Sequence, residues 1–209
     1  MSQKNLNASN KIRRILVNKL KNKKIFQIYK KFEEALNLND NFIVAVSGGP
    51  DSLALTYLAK IYSIKKSLNV RFYLIDHKLR KGSSIEAKLV KKKLEEHSIK
   101  LDILKWNGKK PKTNIQSVAR NKRYDLLINK AKNHNIKNIL LGHHIDDLFE
   151  NFFMRMLRGS GLNGLISLDQ KSKTQKINLL RPLLKLDKKD LIYLSNYIFG
   201  SYIDDPSNE

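Results

Sequence analysis

The residues Phe42-Ile43-Val44-Ala45-Val46 form an unbroken apolar run, stopped by Ser47-Gly48-Gly49-Pro50-Asp51-Ser52 and followed at once by helical spacing from Leu53 to Ile64. A short run without alternation is what a parallel strand needs when both of its faces are covered. Ending it on paired glycines and entering a helix directly defines a strand–loop–helix unit. The same alternation continues along the chain. Strands are expected at Val70–Ile75, Lys100–Trp106, Ile139–Leu141 and Ile177–Leu180, and helices at Ile85–His97, Asn114–His134, Ile145–Leu157 and Lys188–Tyr197. Upstream, Ile25, Ile28, Tyr29, Phe32, Ala35 and Leu36 share one face of a helix expected over 25–38. Repeated strand–helix alternation predicts an α/β fold with a doubly wound, mostly parallel sheet. Ligands of such sheets bind beyond the carboxyl ends of the strands, where the strand order reverses. The unusual polar clusters do follow strands: Ser47–Ser52, Asp76–Arg80 and His143–Glu150. Phe72 and Tyr73 read as core rather than stacking partners.

Composition narrows the chemistry. The 209 residues contain no cysteine, which excludes disulfides, cysteine-ligated zinc, iron–sulfur clusters, thiol catalysis and persulfide relay. No apolar run is long enough to span a membrane, and a soluble cytoplasmic protein is expected. The formal net charge is +22, which suits a polyanionic partner such as nucleic acid. Lysine outnumbers arginine 32 to 9, alongside 21 Asn and 21 Ile, a skew that AT-rich coding also produces. Ten basic and no acidic residues fall within Met1–Lys31. Residues 1–38 are therefore expected as a basic N-terminal helical arm and 39–209 as the catalytic domain.

In Ser47–Ser52, glycines let the backbone approach an anion, the helix dipole attracts it, and two hydroxyls add donors. The loop has no lysine after its glycines, so it is not a Walker A loop, and it lacks the third glycine of a dinucleotide fingerprint. The cluster from Gly142 to Asn151 is read as opening a helix, with His143, Asp147 and Glu150 on one face. Two carboxylates and an imidazole can bind an ammonium group, orient it or accept its proton. A zinc site is the competing reading, weakened by the lack of a further histidine at helical spacing.

The loop resembles the signature of the PP-loop ATP pyrophosphatases, which cleave ATP between the α- and β-phosphates and adenylate a substrate oxygen. The likeness implies an adenine-nucleotide alpha hydrolase-like (Rossmann-like) fold. It also implies that Ser47, Gly48, Gly49, Pro50, Asp51 and Ser52 cradle pyrophosphate, with Asp51 helping to hold Mg²⁺. From Phe42 to Asn208 the chain further resembles the tRNA(Ile)-lysidine synthetases. Seven motifs occur in that family's order: Ser47–Ser52, Asp76–Arg80, Gln116–Tyr124, Gly142–Glu150, Arg155–Leu165, Arg181–Leu184 and Asp205–Asn208. The resemblance implies that ATP adenylates the wobble cytidine of a CAU-anticodon isoleucine tRNA. Free L-lysine then displaces AMP, giving lysidine and changing the tRNA from methionine to isoleucine identity.

On that reading Asp147 and Glu150 bind lysine, His143 belongs to the catalytic cluster, and Arg120 steadies the adenylate phosphate. Asp76 and His77 lie near the adenosine, and Arg123, Arg155 and Arg158 are candidates for RNA or nucleotide phosphates. A homodimer is compatible with the resemblance. The chain departs from the family at Leu148 and Asn151, where Gln and Thr are usual, and it stops at Glu209, where many members continue into further tRNA-binding domains. As a minimal member it would lean on its basic arm for RNA. The alternatives are another PP-loop enzyme or a non-catalytic basic RNA-binding module on a nucleotide-binding fold. Without cysteine, a thiolase is disfavoured.

Overall fold

The computed structural model describes residues 13–108, 111–144, 171–174 and 176–202. The expected helix at 145–157, the glycine loop at 159–164 and the motif at 205–208 lie outside them. Strands β1 (Phe42–Val46), β2 (Val70–Asp76), β3 (Leu101–Lys105), β4 (Asn138–Leu140), β5 (Lys171–Thr174) and β6 (Ile177–Leu180) form one sheet in the order β3-β2-β1-β4-β6-β5. Every pairing is parallel except β5 with β6. The helices are α1 (Lys23–Leu36), α2 (Pro50–Lys65), α3 (Ser83–Glu96), α4 (Ile115–Asn133) and α5 (Lys188–Phe199). The doubly wound, mostly parallel sheet expected above is the fold observed.

The apolar run of β1 is explained by its two faces. Phe42, Val44 and Val46 enter the core shared with α1, α2, α3 and α5, whereas Ile43 enters the core shared with α4. With β2 and β4 on its two edges and helices over both faces, β1 has no solvated side that a polar residue would suit. Helix α2 shows the same logic. It is buried on nearly every side from Ser52 to Ser63, and a helix apolar all round belongs inside a layer. Its tyrosine hydroxyls tie in segments distant along the chain: the Tyr57 hydroxyl donates to the Leu16 carbonyl (3.1 Å), and the Tyr62 hydroxyl donates to the Leu38 carbonyl (2.8 Å) while accepting from the Leu38 amide (2.7 Å).

Helix α1 starts where Asn22 accepts hydrogen bonds from the amides of Lys24 and Ile25, a side-chain cap of the usual kind. Its stripe of Ile25, Ile28, Tyr29, Phe32 and Leu36 is buried in the main core, together with Leu16. This part of the segment expected as a basic arm is thus packed into the domain. Strand β5 was not expected. Lys171-Ser172-Lys173-Thr174 offers no apolar alternation, and it forms only as the antiparallel edge of β6.

Candidate active site

The strand order places the site. From β1 the chain builds outward to β2 and β3 on one side, then crosses to β4 and β6 on the other. The reversal lies between β1 and β4, and the carboxyl ends of strands at such a reversal are where doubly wound sheets form their ligand crevice. The loop after β1 turns through Gly48, whose φ of 103° is a left-handed value that favours glycine. Pro50 occupies the first turn of α2, where its missing N–H costs nothing. The Ser52 hydroxyl accepts from the Ser47 amide (2.7 Å), which ties the loop closed and leaves the Ser52 O–H as a donor. First-turn amides have no intrahelical acceptor, so this end of α2 presents donors and a positive dipole end to an anion. Asp51 stands in that turn with a carboxylate, the hard oxygen donor that Mg²⁺ takes alongside nucleotide phosphates.

The exit of β4 packs directly on this loop. A Cβ at Gly142 would lie 3.3 Å from Ser52 Cα and 3.4 Å from the Ser52 nitrogen, so the two backbones approach closely and any side chain there presses on the start of α2. Residues 141–144 belong to no helix or strand. The helical spacing used to group His143 with Asp147 and Glu150 therefore does not hold at His143. His144 is the histidine buried against the loop: it is 1% exposed, and its Nε2 lies 3.9 Å from Asp51 Oδ2. His143 instead accepts at Nδ1 from Arg181 Nε (3.3 Å), a buried arginine at the exit of β6. Sequence reasoning assigned no role to His144 or Arg181. The signal available for both was position, since Arg181 directly follows β6 and His144 lies four residues beyond the end of β4.

Asp76 ends β2 beside β1 and is buried. Its carboxylate accepts from the Lys78 amide (3.0 Å), the Ser83 hydroxyl (2.9 Å) and the Ser84 hydroxyl. Burial works against ionisation, but the bonds from Ser84, Ser83 and the Lys78 amide, with the Lys78 charge, outweigh it. They hold the carboxyl below the usual aspartate range. Asp76 thereby pins the turn that leads into α3. A depressed folded-state pKa means its stabilisation is complete above the unfolded value near 4 and is lost as pH falls through the folded value. Asp76→Asn should cost about 1.5–3 kcal/mol at neutral pH, and the difference from wild type should shrink in chemical denaturation below about pH 4.

His77 packs edge-on to Trp106, with ring centroids 6.0 Å apart. Arg120 and Arg123 lie on the exposed side of α4, where the Arg120 guanidinium sits 5.9 Å from the Tyr124 ring centroid. Asp147, Glu150, Arg155 and Arg158 lie outside the described residues. Among the described residues no group of three metal-ligating side chains occurs, and no helix is long and apolar enough to cross a membrane.

A glycine loop at a helix N-terminus, set at the reversal of a parallel sheet, defines an α/β domain of the nucleotide-binding kind. Residues 17–209 match the PP-loop domain family, and the chain belongs to it. Among curated proteins it is 40% identical over 177 residues to a tRNA(Ile)-lysidine synthase of Orientia tsutsugamushi, covering 85% of this chain and 39% of that one. To the tRNA(Ile)-lysidine synthase of Bradyrhizobium diazoefficiens it is 38% identical over 168 residues, covering 79% and 46%. The chain thus spans less than half the length of these relatives. Among solved structures, the U34-tRNA thiolase NcsA of Methanococcus maripaludis, with its [4Fe-4S] cluster, superposes with a TM-score of 0.75 at 20% identity, covering 88% of this chain and 67% of that one. This is a likeness of fold. The present chain contains no cysteine with which to hold such a cluster.

Proposed function

We propose that this chain carries the catalytic domain of a cytoplasmic tRNA(Ile)-lysidine synthase. The observation that carries the reading is the meeting of the β1 loop, the His143–His144 exit of β4 and Arg181 at one crevice, in a chain 40% identical to such an enzyme. In the first step the 2-carbonyl oxygen of the wobble cytidine attacks the α-phosphorus of ATP, and pyrophosphate leaves. In the second, the ε-amine of free lysine attacks C2, AMP departs, and the amine loses its proton. The end of α2 and the Ser52 hydroxyl suit the departing pyrophosphate. Asp51 would hold Mg²⁺, which offsets phosphate charge when bound. Asp147 and Glu150 are assigned to the lysine ammonium, Arg120 to the adenylate phosphate, and Asp76 and His77 to the adenosine side. Arg123, Arg155 and Arg158 are assigned to RNA phosphates.

A cleft of about 760 Å³ along α1, lined by Lys23, Lys24, Lys30, Lys31, half-exposed Phe26 and Asp190, suits the tRNA backbone. Lys24 is tied to Asp190 (3.0 Å) and Lys30 to Glu33 (2.9 Å), so Lys23 and Lys31 are the cations to test. The double variant Lys23→Gln/Lys31→Gln should flatten the salt dependence of tRNA binding by about 0.7–0.9 in log–log slope for each phosphate no longer neutralised. Lys88→Gln/Lys92→Gln on α3 makes the same charge change and should leave the slope in place. Equal slopes in both pairs would remove α1 from the RNA interface.

The reaction itself is tested with labelled lysine and unmodified CAU-anticodon isoleucine tRNA. ATP-dependent labelling is the expected result. Release of pyrophosphate on adding tRNA, without labelling, would leave adenylation standing and remove lysine transfer. Absence of both signals would overturn the reading.

A further inference from the structure

We infer that Arg181 is a positioning residue that holds His143 as its Nε2–H tautomer, so that His143 donates to an oxygen of the reacting nucleotide and does not accept the lysine proton. The role of the donated hydrogen rests on the function proposed above; the tautomer does not. The two residues leave adjacent parallel strands. Leu140 pairs with Leu180, and the Leu141 amide donates to the Leu180 carbonyl (2.9 Å), so Arg181 emerges beside Leu141 at the exit of β4 and its side chain reaches two residues on to His143. Pro182 follows Arg181 and biases it toward extended backbone, which carries the strand direction into the crevice. Arg181 is 7% exposed, and its Nε lies 3.3 Å from His143 Nδ1.

A guanidinium only donates hydrogen bonds and keeps its charge at any working pH. The acceptor at His143 must therefore be a lone pair on Nδ1, and turning the ring over would set a C–H against the same donor. With Nδ1 accepting, the ring hydrogen sits on Nε2, which is then a donor. A proton taken from lysine would have to enter at Nδ1, where the guanidinium already donates. Proton acceptance thus falls to a group other than His143. A neutral N–H held in one orientation is what stabilises charge growing on a phosphate or carbonyl oxygen.

Two measurements test this. In protein labelled with ¹⁵N-histidine, long-range ¹⁵N–¹H correlations distinguish the tautomers, and His143 is assigned by the signal missing from His143→Gln. Wild type should show an unprotonated Nδ1 and a protonated Nε2, Arg181→Gln should lose that preference, and Arg181→Lys should restore part of it. A protonated Nδ1 in wild type would overturn the proposal, whatever the enzyme's activity. The second measurement is pyrophosphate release from ATP with tRNA. A glutamine amide stands in for Nε2–H and an asparagine amide for Nδ1–H. His143→Gln should stay within about tenfold of wild type, while His143→Asn should fall on the order of 10²–10³-fold. Asparagine matching or exceeding glutamine would overturn it too. Neither test needs an Arg181 variant that folds. Absence of pyrophosphate release from wild type would count against the proposed reaction, with the tautomer still decided by the labelled histidine.

Discussion

Asp51→Asn is expected to lower ATP-dependent pyrophosphate release on the order of 10²–10³-fold while leaving the protein folded. The substitution keeps side-chain volume and removes one negative charge in the first turn of α2. Two consequences separate a role in the reaction from a structural one. The carboxylate faces His144 Nε2 at 3.9 Å, on a side chain that is 1% exposed, so its loss alters the electrostatics of a water-poor corner. An acidic residue near a helix N-terminus contributes only about 0.3–1 kcal/mol to stability, so thermal unfolding should move by a few degrees at most. Pyrophosphate release and its Mg²⁺ dependence, measured beside the unfolding temperature, decide the matter. Normal release at normal Mg²⁺ concentrations would take Asp51 out of the phosphate machinery.

Gly142→Val should weaken ATP binding by at least about tenfold and destabilise the domain by about 1–3 kcal/mol through overpacking. The added Cβ would stand 3.3 Å from Ser52 Cα and 3.4 Å from the Ser52 nitrogen. Both are backbone atoms of α2, and they move only if the helix start moves. Two γ-methyl groups enlarge the clash, so the β1 loop must shift away from the exit of β4. That shift strains the Ser47–Ser52 hydrogen bond, which closes the loop at 2.7 Å. Gly142→Ala should show a smaller effect in the same direction, because a few tenths of an ångström relieve a single Cβ. Titration with a fluorescent ATP analogue, together with denaturant unfolding, measures both losses. Wild-type affinity and stability in the valine variant would show that the two strand exits are not in tight contact.

Asp51 was legible in the sequence because the loop is local: a strand, two glycines, a proline and an acidic first turn are consecutive residues with known conformational demands. Gly142 was legible only as the end of a strand. The pressure on any side chain there comes from Ser52, which the chain reaches only by way of other strands and helices. His144 is not legible from helical spacing, because it lies in the irregular segment 141–144 after β4 and its place against Asp51 is a contact between distant parts of the chain. Arg120 is legible as part of the Gln116–Tyr124 motif, and its guanidinium lies 5.9 Å from the Tyr124 ring centroid on the exposed side of α4.

What the sequence determined by itself was the order and type of the regular elements from Lys23 to Phe199 among the described residues, β5 excepted, and the strand–glycine turn–helix form of the loop after β1. Apolar periodicity, glycine and proline act over a few residues, so they can be read without knowing the neighbours. Only the tertiary structure decided that β4 lies beside β1 and β6 beside β4, that α1 belongs to the core, and that a polar segment becomes the antiparallel strand β5. The same packing set His144 on Asp51 and Arg181 on His143. Such pairings depend on which distant strands share hydrogen bonds, and a periodicity measured along the chain carries no information about its neighbour across the sheet.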